Sequence, residues 1–269
     1  MPDKTVPSFT SQPVALIDGS LPNGGTVANT PIHGVNCAPY LDDSEERVSK
    51  TSRTDIDLGG KLAFILDDVL DPAEADAMIA ITEALGYQPE APGIMTAPGL
   101  RQNKSVHWVP DEHTMRVIYD RMKRLLPQEL EGDALSPRLS QRLNMYRYDL
   151  HDVFNPHIDG DWPGYGLSED RRTMIQWPGV YSKLTMVLYL NGAEDGVEGG
   201  ETVLYDQGEA RAVVTPKKGR ALFFRHGHSV ETVLHAGAPV LGPVSKYVAR
   251  INVLYEQSEN YHIRNFGTD

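Results

Sequence analysis

From about residue 138 the chain breaks into short runs of strand character: RLSQRLNMYRY, KLTMVLYLN, ETVLYD, ARAVVT, RALFFR and KYVARINVLYE. β-Branched and aromatic residues fill these runs, and Gly, Pro and Asp clusters divide them. No helical period runs between them, so the segments must pair with one another and close over a shared core. A β-sandwich or a jelly-roll barrel is therefore predicted for residues 136–257. No internal repeat of fixed period competes with that reading.

Upstream, ordered structure is predicted to begin at KLAFILDDVL and to continue into a helix over DPAEADAMIAITEALGY. There Asp71 can cap, Pro72 suits the first turn, and Gly86 stops the helix. Ala75, Met78, Ile79 and Leu85 keep helical spacing. A second helix is predicted in DEHTMRVIYDRMKRLLP, where Met115, Ile118, Met122 and Leu125 share a face and Pro127 lies just beyond. Between the helices, PGLRQNKSVHWV reads as a loop and a short strand. Residues 61–135 are thus a helical support for the sheet. Residues 1–60 are rich in Pro, Gly, Ser, Thr and Asp without sustained periodicity, and read as an extended or disordered N-terminal arm. The polar tail 258–269 completes a single domain over 61–269.

Composition narrows the function classes. The chain has 269 residues, 40% apolar and 23% charged, ordinary for a globular protein. Its net charge of -12 argues against a nucleic-acid backbone as main partner. No apolar run reaches the roughly 20 residues of a membrane-spanning helix. The opening stretch shows no secretory signal. Cys37 is the only cysteine, which rules out an internal disulfide and fits a reducing, cytoplasmic compartment.

The chemistry is concentrated in NMYRYDLHDVFNPHIDGDW, residues 144–162. Of nine histidines, only His157 has an Asp two positions later, Asp159. On a strand such a pair faces one side, and an imidazole and a carboxylate converge. A second His from elsewhere would complete a two-His-one-carboxylate facial triad, a set that suits non-haem Fe(II) and leaves coordination positions open. His226, His228, His235 and His262 are available. His226 and His228 sit in the loop-like FRHGHSV, as surface, supporting or decoy residues. His235 follows the strand-like VETVL, at a strand end. His262 lies in the tail.

Farther on, Lys246, Val248, Arg250 and Asn252 share one face of KYVARINVLYE. Two cations there are either solvated on an edge strand or partnered by an anion. The stretch DGDWPGYGLSEDRRTMIQWPGVYSK, with Trp162, Tyr165, Trp177 and Tyr181, reads as a loop over the mouth of the site.

The ordered series RY…PHID, SKLTMVLYLN, EGGETVLY, PKKGRALFFRHG, LHAGAPV and KYVARINVLY resembles the Fe(II)- and 2-oxoglutarate-dependent dioxygenases, in the branch with a prolyl 4-hydroxylase-like catalytic domain. With the upstream ALGY and LRQNKSVHW blocks, the resemblance spans residues 61 to 257. It implies a mostly β, double-stranded β-helix (jelly-roll) core with flanking N-terminal helices, and His157, Asp159 and His235 on iron. It also implies 2-oxoglutarate chelated through its 1-carboxylate and keto oxygen, with Lys246 at the distal carboxylate and Tyr148 and Tyr189 beside the cosubstrate. Thr185 and Val187 share the face of Tyr189, and Arg250 stands in reserve for the same anion. Retention of Asp159 favours hydroxylation over halogenation, in which a small residue replaces the carboxylate. On the substrate side the resemblance points to Arg101 and Asn103, with Trp162 and Trp177 from the loop. Here Arg101-Gln102-Asn103 departs from the adjacent asparagines usual in the branch, and Ala236 follows His235 where Glu is common.

The expected activity is hydroxylation of a C–H bond with oxidative decarboxylation of 2-oxoglutarate to succinate and CO2, using O2 and ascorbate as reductant. The substrate is a small molecule or amino acid, or a peptidyl proline. Two other classes stay open: a cupin-like metalloenzyme without a keto acid, and a non-catalytic metal- or ligand-binding barrel. The first keeps the His-Asp-His site but needs no Lys246, and the second tolerates loss of a ligand, yet all three candidates are present.

Overall fold

The computed structural model describes residues 10–17, 30–35, 41–89 and 100–257. Its larger sheet runs in the order Ser11–Ile17, Thr30–Val35, Lys104–Val109, Leu143–Tyr148, Lys246–Glu256, Met174–Tyr189, Ala221–Arg225, Ala63–Asp67, Ser52–Asp55. Neighbours in this order are antiparallel, except that Thr30–Val35 runs parallel to Lys104–Val109. A smaller antiparallel sheet takes Phe154–His157, Leu234–Gly237, Thr202–Asp206 and Glu209–Val214 in that order. The architecture is the predicted one, mostly β with a jelly-roll core and flanking helices.

Strand alternation sorts the residues of the larger sheet between two cores. Leu143, Met145, Leu184, Met186, Leu188, Ala249, Ile251 and Val253 turn to one side, where they meet the helices. Tyr146, Tyr148, Tyr189 and Val248 turn to the other, where they meet Leu204 of the smaller sheet. Lys246 and Arg250 share the parity of Val248, so their strand aims both cations between the sheets.

The helices form where the caps dictate. Pro72–Leu85 starts on a full capping box between Asp71 and Glu74 and ends at Gly86, whose φ is 89°. Glu112–Met122 is capped by Asp111. Ala75, Met78, Ile81, Met115, Ile118 and Met122 join the first core. Arg121, fully buried, ties the two helices together through Glu74 at 2.7 Å and also donates to the carbonyls of Val69 and Asp42.

Three expectations are corrected. The second helix ends at Met122 rather than just before Pro127, because the chain tightens into a Leu125-to-Met122 turn ahead of the proline. The expected arm of residues 1–60 contributes elements wherever it is described: strands Ser11–Ile17, Thr30–Val35 and Ser52–Asp55, and helix Glu45–Lys50 capped by Ser44. These are short, and Thr30–Val35 pairs with Lys104–Val109 far along the chain, a relation local periodicity does not carry. The expected mouth loop is a hairpin, Pro163–Leu167 against the first half of Met174–Tyr189. Its glycines look loop-like but make room for a ring: a Cβ on Gly166 would lie 2.2 Å from Trp177.

Among the described residues no helix is long and apolar enough to cross a membrane. Cys37, His262 and the tail 258–269 lie outside the described residues.

Candidate metal centre

His157 closes the strand Phe154–His157, and its Cα register partner across the smaller sheet is His235. Direct opposition on antiparallel strands brings the two imidazoles together, with ring centroids 4.2 Å apart. Asp159 follows just past the strand end. His235 lies inside Leu234–Gly237, and Val230–Thr232 before it form a turn rather than the expected strand. The donor atoms of His157, Asp159 and His235 all lie within 4.8 Å of one another.

Hydrogen bonds fix which nitrogen each ring presents. His157 Nδ1–H donates to the Asn155 carbonyl at 2.8 Å, and His235 Nδ1–H donates to the Val233 carbonyl at 3.2 Å. A carbonyl only accepts, so both Nε2 atoms carry lone pairs. They point at the carboxylate: His157 Nε2 is 3.9 Å from Asp159 Oδ1 and His235 Nε2 is 3.8 Å from Oδ2. Burial, then the neighbouring His235, pushes His157 down to about 3. Burial likewise lowers His235. For Asp159, burial works upward, but Arg250, the two histidines and Thr185 outweigh it and hold the carboxyl well below its usual range. Two neutral imidazoles and one ionised carboxylate are the donor set a divalent ion of the first transition row requires.

Behind Asp159 runs a directed chain of hydrogen bonds. Thr185 Oγ1 donates to Asp159 Oδ2 at 2.7 Å and accepts from His226 Nδ1 at 2.8 Å. His226 Nε2, neutral, accepts from Ser182 Oγ at 2.8 Å, and Ser182 Oγ accepts the Trp162 backbone N–H at 2.9 Å. Arg250 Nε also donates to Oδ2, at 3.1 Å. Oδ2 is thereby engaged twice, which leaves Oδ1 facing His157. His226 is thus a buried support for the carboxylate, a role the sequence left among several. His228 is exposed, 3.8 Å from Asp161.

The triad opens on a cavity of about 220 Å³. Lys246, Val248 and Arg250 line it from one strand and Tyr146 and Tyr148 from the next, joined by Phe154, Val187, Thr202, Leu100, Arg101, Ile158 and Trp162. Lys246, 3% exposed and in register with Tyr148, donates to the Gly200 carbonyl at 2.8 Å, its Nζ 4.5 Å from the Tyr148 ring centre. Among the described residues no carboxylate makes an ion pair with it. Gly200 has φ 70°, and a Cβ there would stand 3.0 Å from the Lys246 stem.

Several expected residues fall elsewhere. Tyr189 is fully buried and does not line the cavity; its hydroxyl donates to Thr202 Oγ1 at 2.7 Å, and Thr202 forms the wall. Arg250 is engaged with Asp159, and lies four residues, roughly 13 Å along a strand, from Lys246. It serves the metal end of the cavity, not the far end. Asn103 is one step removed: its Oδ1 accepts from Arg101 Nε at 2.7 Å. Trp177 packs away from the site, against Val180 and Leu254 and under the Arg138 guanidinium at 3.8 Å. Tyr146, Phe154 and Thr202 are wall residues the sequence reading missed. Tyr146 has the parity of Tyr148, which could have marked it.

Residues 143–254 match the family model described as the 2OG-Fe(II) oxygenase superfamily. No curated protein matches the chain significantly. Among solved structures, a viral collagen prolyl hydroxylase from Paramecium Bursaria Chlorella virus-1 aligns at 23% identity over 74% of this chain and 99% of its own, with a TM-score of 0.48. A Pseudomonas putida prolyl-4-hydroxylase aligns at 14% identity over 79% and 96%, with a TM-score of 0.46. A prolyl hydroxylase from Trichoplax adhaerens, in complex with a hypoxia inducible factor peptide fragment, aligns at 17% identity over 77% and 87%, with a TM-score of 0.47.

Proposed function

We propose that this chain, whose residues 143–254 match the 2OG-Fe(II) oxygenase superfamily, is a hydroxylase that acts on a C–H bond of a small molecule or a peptidyl proline. In this reading Fe(II) is held by His157, Asp159 and His235, and 2-oxoglutarate is the cosubstrate. The observation that carries the reading is one cavity with a convergent His-Asp-His donor set at one end and a buried ammonium at the other.

The chemistry that Fe(II) and 2-oxoglutarate supply when bound is oxidative decarboxylation to succinate and CO2, one atom of O2 entering succinate and the other the substrate C–H bond. Ascorbate serves as the reductant that keeps the iron ferrous. The residues supply position and charge. His157 and His235 offer Nε2, each locked in its tautomer by a carbonyl. Asp159 offers Oδ1 while Thr185 and Arg250 hold Oδ2. Three protein donors leave coordination positions for a chelating acid and dioxygen. At the far end the Lys246 ammonium neutralises the distal carboxylate beside Tyr148. Phe154, Val187 and Val248 make the walls apolar, which excludes water and strengthens these charge contacts.

The test is 2-oxoglutarate binding to the Mn(II)-loaded protein by calorimetry. Wild type binds; Lys246→Ala loses at least tenfold in affinity and keeps its metal. Unchanged affinity in Lys246→Ala would remove the cosubstrate assignment and return the cupin-like alternative.

A further inference from the structure

The segment 159–162 carries the carboxylate of the candidate metal centre at one end and a cavity-wall residue at the other, Asp159 and Trp162. It is clasped at both ends. The Gly227 N–H donates to the Asp159 carbonyl at 2.9 Å. The Trp162 carbonyl accepts the Ser182 N–H at 2.8 Å, while the Trp162 N–H goes to Ser182 Oγ at 2.9 Å. Side chains join the same two ends by a second route, from Ser182 to His226 to Thr185 to Asp159, in steps of 2.8, 2.8 and 2.7 Å. Ser182, His226 and Thr185 are all buried, so their hydrogens find partners within the chain.

Counting hydrogens leaves this route one arrangement while Asp159 is ionised. Its Oδ2 only accepts, so the single hydroxyl hydrogen of Thr185 goes there. Thr185 Oγ1 then has only lone pairs for His226 Nδ1, which must carry the hydrogen of the ring. A neutral ring has one, so Nε2 is bare and takes the Ser182 hydrogen. Ser182 Oγ keeps its lone pairs for the Trp162 N–H. A second arrangement is open once Ser182 stops donating. The Ser182 carbonyl also lies against the His226 ring, placed to accept from an Nε2–H. Nδ1 then accepts from Thr185, and Oδ2 is left with Arg250 alone. Both arrangements satisfy the imidazole, so the Ser182 hydroxyl decides between them.

We propose that His226 is a positioning residue whose tautomer is set at the cavity wall, by the Trp162 N–H through Ser182, and delivered at Asp159 as the direction of the Thr185 hydroxyl. The inference rests on the metal reading above and adds a link from the wall that a substrate meets to the oxygen that Asp159 presents. With Thr185 donating, Oδ2 is held twice and Oδ1 alone is offered. With Thr185 turned to His226, Oδ2 is loosened and the donor set is less fixed. A displacement of Trp162 that breaks its bond to Ser182 frees the Ser182 hydroxyl to rotate, and so alters Asp159 with neither histidine ligand moved.

The test reads the tautomer in the metal-free full chain carrying isotope-labelled histidine, by nitrogen NMR; the His226 signals are those absent from His226→Asn. Wild type shows hydrogen on Nδ1 and a bare Nε2, and Ser182→Ala moves the hydrogen to Nε2. Mn(II) titration is the second readout. Ser182→Ala, three hydrogen bonds from Asp159, weakens Mn(II) by roughly threefold to tenfold, short of the 10–100-fold of a direct partner. In the His226→Asn background the amide donates to Thr185 from the place of Nδ1 and makes no demand on Ser182. There the same change costs nothing measurable. A wild type with its hydrogen on Nε2, an unmoved tautomer in Ser182→Ala, or equal Mn(II) losses in both backgrounds would overturn the proposal. Failure of wild type to bind Mn(II) at all, with the tautomers as stated, would strike the metal reading instead.

Discussion

Asp159 is the residue on which the interactions of the candidate metal centre converge. It faces two imidazoles, and its Oδ2 receives both Thr185 and Arg250. A supporting hydrogen bond to a metal ligand is worth about 10–100-fold in affinity. His226→Ala and Thr185→Val are therefore expected to weaken Fe(II) or Mn(II) binding within that range, while His235→Ala abolishes it, as read by metal titration. Equal losses in His226→Ala and His235→Ala would contradict the assignment of inner and outer roles. Lys246 gives a second prediction. Burial lowers it to about 8, with Glu201 opposing. In the proposed role the distal carboxylate would pair only with the protonated amine, so 2-oxoglutarate affinity is expected to be level below about pH 8 and to fall as pH rises through it. Lys246→Met is expected to bind weakly at every pH, without the inflection. An inflection that persists in Lys246→Met would assign it to another group.

At the scale of elements, the helices matter because they back the sheet that aims these side chains. Glu74 is 4% exposed, pairs with Arg121, and accepts the backbone N–H groups of Asp42 and Asp71. Burial acts upward on its carboxyl, but Arg121 and those N–H groups prevail and hold it below the usual range. A depressed carboxyl pKa contributes stability above its unfolded value, lost as pH falls through the folded one. Glu74→Gln should cost about 3–5 kcal/mol at neutral pH, the range for breaking a buried pair, and should flatten the loss of stability in acid. Chemical denaturation across pH measures both; an acid limb as steep in the variant as in wild type would contradict the account. These helices were legible because caps and apolar spacing are local signals: Asp71, Pro72 and Gly86 act within their own turns. The hairpin at Pro163–Leu167 was not, since Gly164 and Gly166 read as loop until Trp177 is placed across them. The same ring explains why Trp177 was misassigned to the substrate side. An aromatic residue in a Gly-rich stretch carries no mark of which face it covers.

Across the whole molecule, the site is built from both sheets and from segments far apart in sequence: 100–103, 144–162, 182–189, 200–202, 226–235 and 246–250. The convergence of His157, Asp159 and His235 and the place of Lys246 on the same cavity were readable because each stands in an ordered block. Arg250 was misplaced toward the far carboxylate, because a sequence gives the face of a strand but not which neighbour a cation meets along it. The strands Ser11–Ile17 and Thr30–Val35 were missed for a related reason, since they pair with each other and join the sheet only through the non-local contact of Thr30–Val35 with Lys104–Val109. Because His157 and His235 come from separate strands and Lys246 from the other sheet, ligands bridge parts that separate on unfolding. Mn(II) with 2-oxoglutarate at about a hundred times Kd should add about 2.7 kcal/mol, a rise in Tm of several degrees. His235→Ala should show none of it.

The most direct measurement of the central claim is succinate formation by the purified protein given Fe(II), ascorbate, O2 and 2-oxoglutarate. The account predicts slow succinate without added substrate, matched by CO2, accelerated by a compound that is hydroxylated and absent from Asp159→Ala. No succinate from wild type with metal and 2-oxoglutarate both bound, or equal succinate from Asp159→Ala, would contradict it.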